Sequence, residues 1–240
     1  MISPNEKEHL SSLIKKCELG DIAAMEEVAT FYYEDHPELM NDTTAPLVLE
    51  YYEKALSLGH QKTYLNLGTI YFDGIYAPPN YSKAIELFKL AISGDNARIA
   101  AIANAKLGDC YQYGYGMESN LSKAFDCYLE GVLLCNHPIC LYKLGDMYRS
   151  GLFVNQSSKK AYFIYCKAKD ASAKYFLNDS YAEILVRLAE AKIDGIGTDK
   201  DIPSARKYLE LAKRGSYRSS YPEKNILQKI DALREKALNN

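Results

Sequence analysis

The chain has 240 residues, 29 basic against 31 acidic side chains for a formal net charge of -2, six cysteines and no tryptophan. So even a balance excludes the broad basic field that binds nucleic acid or anionic lipid nonspecifically, and neither is an expected partner. No stretch approaches the apolar length that spans a bilayer, and Met1 to His9 lacks a basic start followed by an apolar run, so a soluble, cytoplasmic chain is expected.

In chain order, residues 5–19 read as a polar amphipathic helix that caps the array. A recurring phrase then fills the chain to about residue 215: Leu-Gly, three residues to Tyr, three more to Gly, then Lys-Ala. Its full copies are Leu67-Gly68, Tyr71, Gly74, Lys83-Ala84; Leu107-Gly108, Tyr111, Gly114, Lys123-Ala124; and Leu144-Gly145, Tyr148, Gly151, Lys160-Ala161. Worn copies lie at Val28-Ala29, Tyr32, Asp35 and at Leu188-Ala189, Lys192, Gly195, Ser204-Ala205. The small residue steps through 29, 68, 108, 145 and 189, a period of roughly 37 to 44 residues, which is that of stacked helical pairs.

In each repeat the Leu-Gly-x-x-Tyr run forms one face of a first helix. A helix-interior glycine costs about 1 kcal/mol against alanine, so its return at 68, 108 and 145 implies that a Cβ would obstruct the second helix. Gly74, Gly114, Gly151 and Gly195 stand where that helix must stop. Asn80, Asn120, Ser157 and Asp201, each four residues before the recurring alanine, are expected N-caps of the second helices. The buried stripe then runs through Ala84, Leu87, Phe88 and Ala91, and again through Ala161, Ile164, Tyr165 and Ala168. In the first repeat the connector Glu34 to Ala45, which carries Pro37, should be an exposed loop. Residues 222–238 read as a charged C-terminal cap. The expected organisation is one repeat domain over 1–240, with repeats at about 22–59, 60–99, 100–136, 137–180 and 181–215.

These residues resemble the Sel-1-like repeat family, whose pattern runs alanine, Leu-Gly, Tyr, Gly-x-Gly, a capping Asp or Asn, and Lys-Ala before an aromatic. The turns Gly114-Tyr115-Gly116 and Gly195-Ile196-Gly197 are similar to it. The resemblance implies an all-α, right-handed superhelical solenoid of about five antiparallel helix pairs with terminal capping helices, related to tetratricopeptide arrays, and members that act as adaptors in protein complexes. It supplies no catalytic motif. Some secreted members carry a disulfide in every repeat and are associated with β-lactam binding. The cysteines here, at 17, 110, 127, 135, 140 and 166, do not recur once per repeat and read as buried free thiols.

If the first helices line the concave side, the residue before each Leu-Gly leucine forms one row, Asn66, Lys106, Lys143 and Arg187, and the residue after the small one forms another, Thr69, Asp109, Asp146 and Glu190. In three repeats a base thus precedes an acid by three positions, as either a solvated helix face or a two-row groove that grips an extended peptide or a partner helix. Tyr76, Tyr113, Tyr115 and Phe153 lie in or near the turns, where they could anchor a partner or pack one turn on the next. Cys135, His137 and Cys140 have poor metal-site spacing and no second ligand pair, and Pro138 reads as the start of a helix. No phosphate loop or nucleophile motif is present, and the four histidines are dispersed, so neither metal nor cofactor is expected. The expected function is a noncatalytic, monomeric scaffold or adaptor for another protein or peptide. A dedicated inhibitor of one enzyme or effector is the alternative, and an enzyme acting on a small substrate is the third reading.

Overall fold

The computed structural model describes residues 2–74, 78–175, 178–216 and 224–238, and every regular element among them is helical. The chain divides into two compact units, Met1–Ile99 and Ala100–Asn240. Unit one contains α1 (Pro4–Glu18), α2 (Ile22–Thr30), α3 (Thr44–Ala55), α4 (Gln61–Asp73) and α5 (Tyr81–Ile92). Unit two contains most of α6 (Ala97–Tyr113) and then α7 (Leu121–Cys135), α8 (Pro138–Ser150), α9 (Ser158–Tyr175), α10 (Asn178–Asp194), α11 (Ile202–Ser216) and α12 (Lys224–Leu238). The pairs α2/α3, α4/α5, α6/α7, α8/α9 and α10/α11 are the five antiparallel repeats, and α1 and α12 are the caps. Residues 222 and 223 of the expected C-terminal cap lie outside the described residues.

α1 starts with a capping box, in which the Ser3 hydroxyl accepts from the Glu6 amide at 3.3 Å while the Ser3 amide donates to the Glu6 carboxylate at 2.7 Å. Its Leu10, Leu13 and Cys17 pack against Met25, Val28 and Phe31 of the first repeat. The connector after α2 is more ordered than an exposed loop. A π-helical turn over Phe31–Asp35 and a 3-10 turn over Pro37–Leu39 carry it, Pro37 is buried, and Leu39 packs on the same cluster. The apolar residues of this connector gain more from that cluster than from solvent, and this keeps the segment down.

The punctuation of the repeats follows from backbone chemistry. Asn80, Asn120 and Asp201 accept from the amide three residues on at 3.1, 3.0 and 3.0 Å, and Ser157 does so at 3.3 Å. Each of these capping residues also donates its own amide to the carbonyl of Tyr71, Tyr111, Tyr148 or Lys192, at 2.8 to 2.9 Å, which closes the turn. Gly74, Gly114, Gly151 and Gly195 all have φ between 64° and 75°, the left-handed conformation that ends the first helix.

The helix-interior glycines exist for close approach. A Cβ at Gly108 would stand 2.4 Å from Cε1 of Tyr128, one at Gly145 would stand 2.5 Å from Cε1 of Tyr165, and one at Gly68 would stand 2.8 Å from Cε1 of Phe88. These aromatics, four residues after the recurring alanine, are fully or almost fully buried and press a ring edge onto the first helix. In the last repeat the same two positions are Ala189 and Leu209, both fully buried in one cluster. The smaller side chain there leaves room for a methyl group.

Candidate functional site

The two rows of the first helices interlock through partners far apart in sequence. In unit two, the Lys143 ammonium donates to Asp109 at 2.6 Å and the Tyr128 hydroxyl donates to the same carboxylate at 2.7 Å. One repeat later the pattern returns: Arg187 makes a two-pronged contact with Asp146, both bonds at 2.7 Å, and the Tyr165 hydroxyl donates to Asp146 at 2.6 Å. Each acid therefore accepts from the tyrosine of its own second helix and from the base of the next repeat, rather than from the base three positions before it. Planar guanidinium on carboxylate is the strongest form of such a contact.

Burial matters to these pairs. The Arg187 side chain is 15% exposed and that of Asp146 29%, so solvent screens this bond less than an ordinary surface pair. Burial opposes the Arg187 charge, but the hydrogen bonds and charge of Asp146, with help from Glu183, outweigh it and hold the guanidinium firmly protonated. Glu190 has a different partner: it accepts from Arg149 at 2.6 Å, and Lys229 of α12 lies 3.9 Å away. Burial alone would raise the Glu190 carboxyl, yet Arg149 overcomes this and leaves it below the usual glutamate range. Lys106 is half-buried on α6.

In unit one the same positions carry neutral groups. The Asn66 side chain donates to Glu34 and, at 3.0 Å, to the Tyr52 hydroxyl, which itself donates to Thr30 at 3.3 Å. Thr69 instead bonds the Leu65 carbonyl on its own helix at 2.9 Å, because the ring opposite it is Phe88 and offers no hydroxyl. Tyr52, Tyr128, Tyr165, Arg149, Glu34 and Glu183 were not among the expected site residues. The visible signal for the tyrosines is their fixed place four residues after Val48, Ala124 and Ala161.

The lysine of each Lys-Ala also has a structural role. Lys83, Lys123 and Lys160 stand 4.7, 5.5 and 5.4 Å from the ring centres of Tyr71, Tyr111 and Tyr148 in the same repeat. Of the turn aromatics, Tyr113 and Tyr115 pack together at 5.7 Å and Phe153 meets Phe125 at 5.5 Å, while Tyr113 and Phe153 stay more than half exposed. Tyr76 lies outside the described residues.

All six cysteines are free thiols. His137 is fully buried at the start of α8, and the buried Cys140 thiol donates to the Ala101 carbonyl at 3.2 Å. Among the described residues no three His, Cys, Asp or Glu side chains stand together as metal ligands, and no helix is long and apolar enough to cross a membrane.

The Sel1 repeat model matches residues 49–60, 62–96, 101–132, 138–172 and 183–217. No curated protein matches the chain. Among solved structures, a Sel1 repeat protein from Oxalobacter formigenes superposes with a TM-score of 0.63 at 17% identity, over 92% of this chain and 89% of that one. The protective antigen c5321 of uropathogenic Escherichia coli, which displays an SLR fold, gives 0.55 at 19% identity over 96% of this chain and 56% of its own. PA5086 of Pseudomonas aeruginosa gives 0.53 at 18% identity over 88% and 81%. At these identities the likeness concerns the fold, and it agrees with the helix pairs and their recurring caps. With the repeat model matched over more than half of its length, the chain belongs to the Sel1 repeat family.

Proposed function

We propose that the chain is a noncatalytic scaffold that binds another protein or peptide through the first-helix rows of its repeats. The observation that carries this reading is the interlocked row of charges in unit two. Lys106, Asp109, Lys143, Asp146, Arg187 and Glu190 are all half-buried, so they retain some exposure, and the last five are held in place by the bonds described above. Pre-positioned charge gives specificity at low entropic cost, since the partner need not order these side chains. Tyr113, 56% exposed at the end of α6, adds an aromatic anchor. In unit one, Asn66 and Thr69 hold the equivalent positions with neutral side chains, so the two units would read different stretches of a partner.

A monomer working in the cytoplasm is part of this proposal. The exposed polar residues of α12 and the six free thiols, three of them buried, support it, and light scattering on the purified chain tests the first point. Reversing Lys143 or Arg187 would break internal bonds, so the binding test uses Lys106→Glu with Tyr113→Ala. Affinity capture with mass spectrometry should recover partners on wild type that the variant loses, with circular dichroism showing that the variant keeps its helical fold. Identical partners on both would move the site off this face. A single stoichiometric partner would favour the inhibitor reading over an adaptor with several.

A further inference from the structure

A cleft of about 300 Å3 opens within unit one between α3 and α5, over α4. Its apolar lining is Leu56, Leu67, Leu87 and Leu90, of which Leu67 and Leu87 are buried and Leu90 is 46% exposed. The volume reaches the lower end of the range for specific ligand sites. Glu53 and Glu86 stand on the rim with Lys83, which leaves one negative charge in excess.

The lining already holds one cation. The Lys83 ammonium lies 3.3 Å from Glu53, donates to the Tyr71 hydroxyl at 3.1 Å, and stands 4.7 Å from the centre of the Tyr71 ring. A carboxylate, a phenol and a ring face together are the chemistry of ammonium and guanidinium recognition. Glu86 takes no part in this: among the described residues it has no ion-pair partner, and it lies one turn before Leu90 on α5. The repeat does not require these acids. At the corresponding positions of α7 and α9 stand Leu129 and Phe163, and the counterpart of Leu90 is Lys167, which lies 5.5 Å from the Phe163 ring centre. Unit one thus carries two acids where α7 and α9 present the exposed Leu129 and Phe163, although α7 keeps an acid, Asp126, at the position of Glu86.

We propose that this cleft binds a segment of a partner protein in which a leucine-sized or aromatic side chain enters the apolar lining and a neighbouring arginine or lysine meets Glu86. The proposal rests on the scaffold reading and gives it a second, chemically distinct contact. A partner side chain of this size gains burial against four leucines, and the acid beside it selects the flanking base over an acid.

The test is selection of a random displayed peptide library on the immobilised full chain, followed by fluorescence anisotropy of the enriched peptides. Peptides with a basic residue next to an apolar one should be enriched. Glu86→Lys and Leu90→Ser should each weaken their binding at least tenfold while circular dichroism melts stay unchanged, because both side chains are exposed and pack on nothing that holds the helices. The Lys106→Glu, Tyr113→Ala variant should bind them as wild type does. Absence of enrichment, enrichment of acidic peptides, or peptides that Glu86→Lys retains would overturn the cleft. Peptides lost only from the Lys106→Glu, Tyr113→Ala variant would leave the scaffold standing and remove the cleft from it.

Discussion

Gly108→Ala tests the account of the helix-interior glycines. In an unobstructed helix this change stabilises by about 1 kcal/mol, because alanine loses less backbone freedom on folding. Here the new methyl carbon would lie 2.4 Å from Cε1 and 2.8 Å from Cδ1 of Tyr128, more than 1 Å inside ordinary contact. The ring cannot slide away cheaply. It is fully buried, and its hydroxyl is tied to Asp109 at 2.7 Å and to Gln112 at 3.0 Å. Overpacking of this kind costs about 1–3 kcal/mol, and movement that frees the hydroxyl from a carboxylate costs about 1.5–3 kcal/mol more. After the propensity gain, a net loss of about 1.5–5 kcal/mol is expected in urea denaturation followed by far-UV circular dichroism. In a Tyr128→Leu background the same alanine should be neutral or stabilising by up to about 1 kcal/mol, because the last repeat tolerates Ala189 with Leu209. The coupling between the two sites should then be at least about 1.5 kcal/mol. If Gly108→Ala matches wild type, or if the double variant shows no coupling, ring contact is not the reason for the glycine.

The remaining expectations concern the interlocked charges and the thiols. Asp146→Ala leaves the Arg187 guanidinium buried with only Glu183 to answer it, and should lower stability by about 2–3 kcal/mol; a change below experimental error in the urea midpoint would show that the pair is solvent-screened. Glu190 titrates below the ordinary glutamate value of 4.5, so its bond to Arg149 stabilises fully above that pH and is lost as pH falls through the lower folded value. Arg149→Gln should therefore flatten the acid limb of a stability profile, and an unchanged limb would remove the contact from the account. Burial pushes the Cys110 thiol up to about 12 and that of Cys127 up to about 11, so iodoacetamide at neutral pH should label them only when urea unfolds the chain. Labelling of the native chain at the rate of a free thiol would contradict their burial.

Much of the architecture is legible in the chain because its causes are local. An N-cap needs one acceptor at one position, and Asn80, Asn120, Ser157 and Asp201 supply it within three residues of the amide they serve. Glycine at 74 or 114 likewise acts on its own backbone. The pairing of the charged rows is not local. Spacing of three shows Lys143 beside Asp146 on one helix, but the carboxylate that Lys143 finds is 34 residues earlier, brought there only when repeats stack. The repeats do hold a clue in the residue that opposes each acid. Tyr128 faces Asp109 and Tyr165 faces Asp146, whereas Phe88 leaves Thr69 to its own backbone and Leu209 leaves Glu190 to Arg149. The order in the first connector was hidden for another reason: Pro37 reads as a loop breaker alone, whereas Leu39 two residues on packs on the cluster that α1 and α2 build from distant parts of the chain. The cleft of unit one was hidden as well, although two acids at positions where the later helices α7 and α9 carry Leu129 and Phe163 are a visible irregularity.

A row in which each acid needs the base of the next repeat cannot simply stop, and the C-terminal end shows how unit two completes it. After α10 and α11 comes α12, and its lysines lie close to the acids of α10. Lys229 approaches Glu190 at 3.9 Å and Lys236 meets Asp194 at 2.6 Å, so the cap supplies cations where another repeat would have done so. Its Ile226, Ile230, Leu233 and Ala237 meanwhile cover Val186, Ala189, Ile193 and Leu209. Asp231 and Glu235 of α12 are exposed, and so is Leu238 at its end. Arg206 fastens the helix end through the Ala237 carbonyl at 2.8 Å, and Lys213 meets Asp231 at 2.8 Å. A capping helix of this kind does two things that a polar tail could not: it buries the last apolar face, and it answers the last unmatched charges. Both come from one helix, whose apolar side packs on α10 and α11 while its lysines answer Glu190 and Asp194.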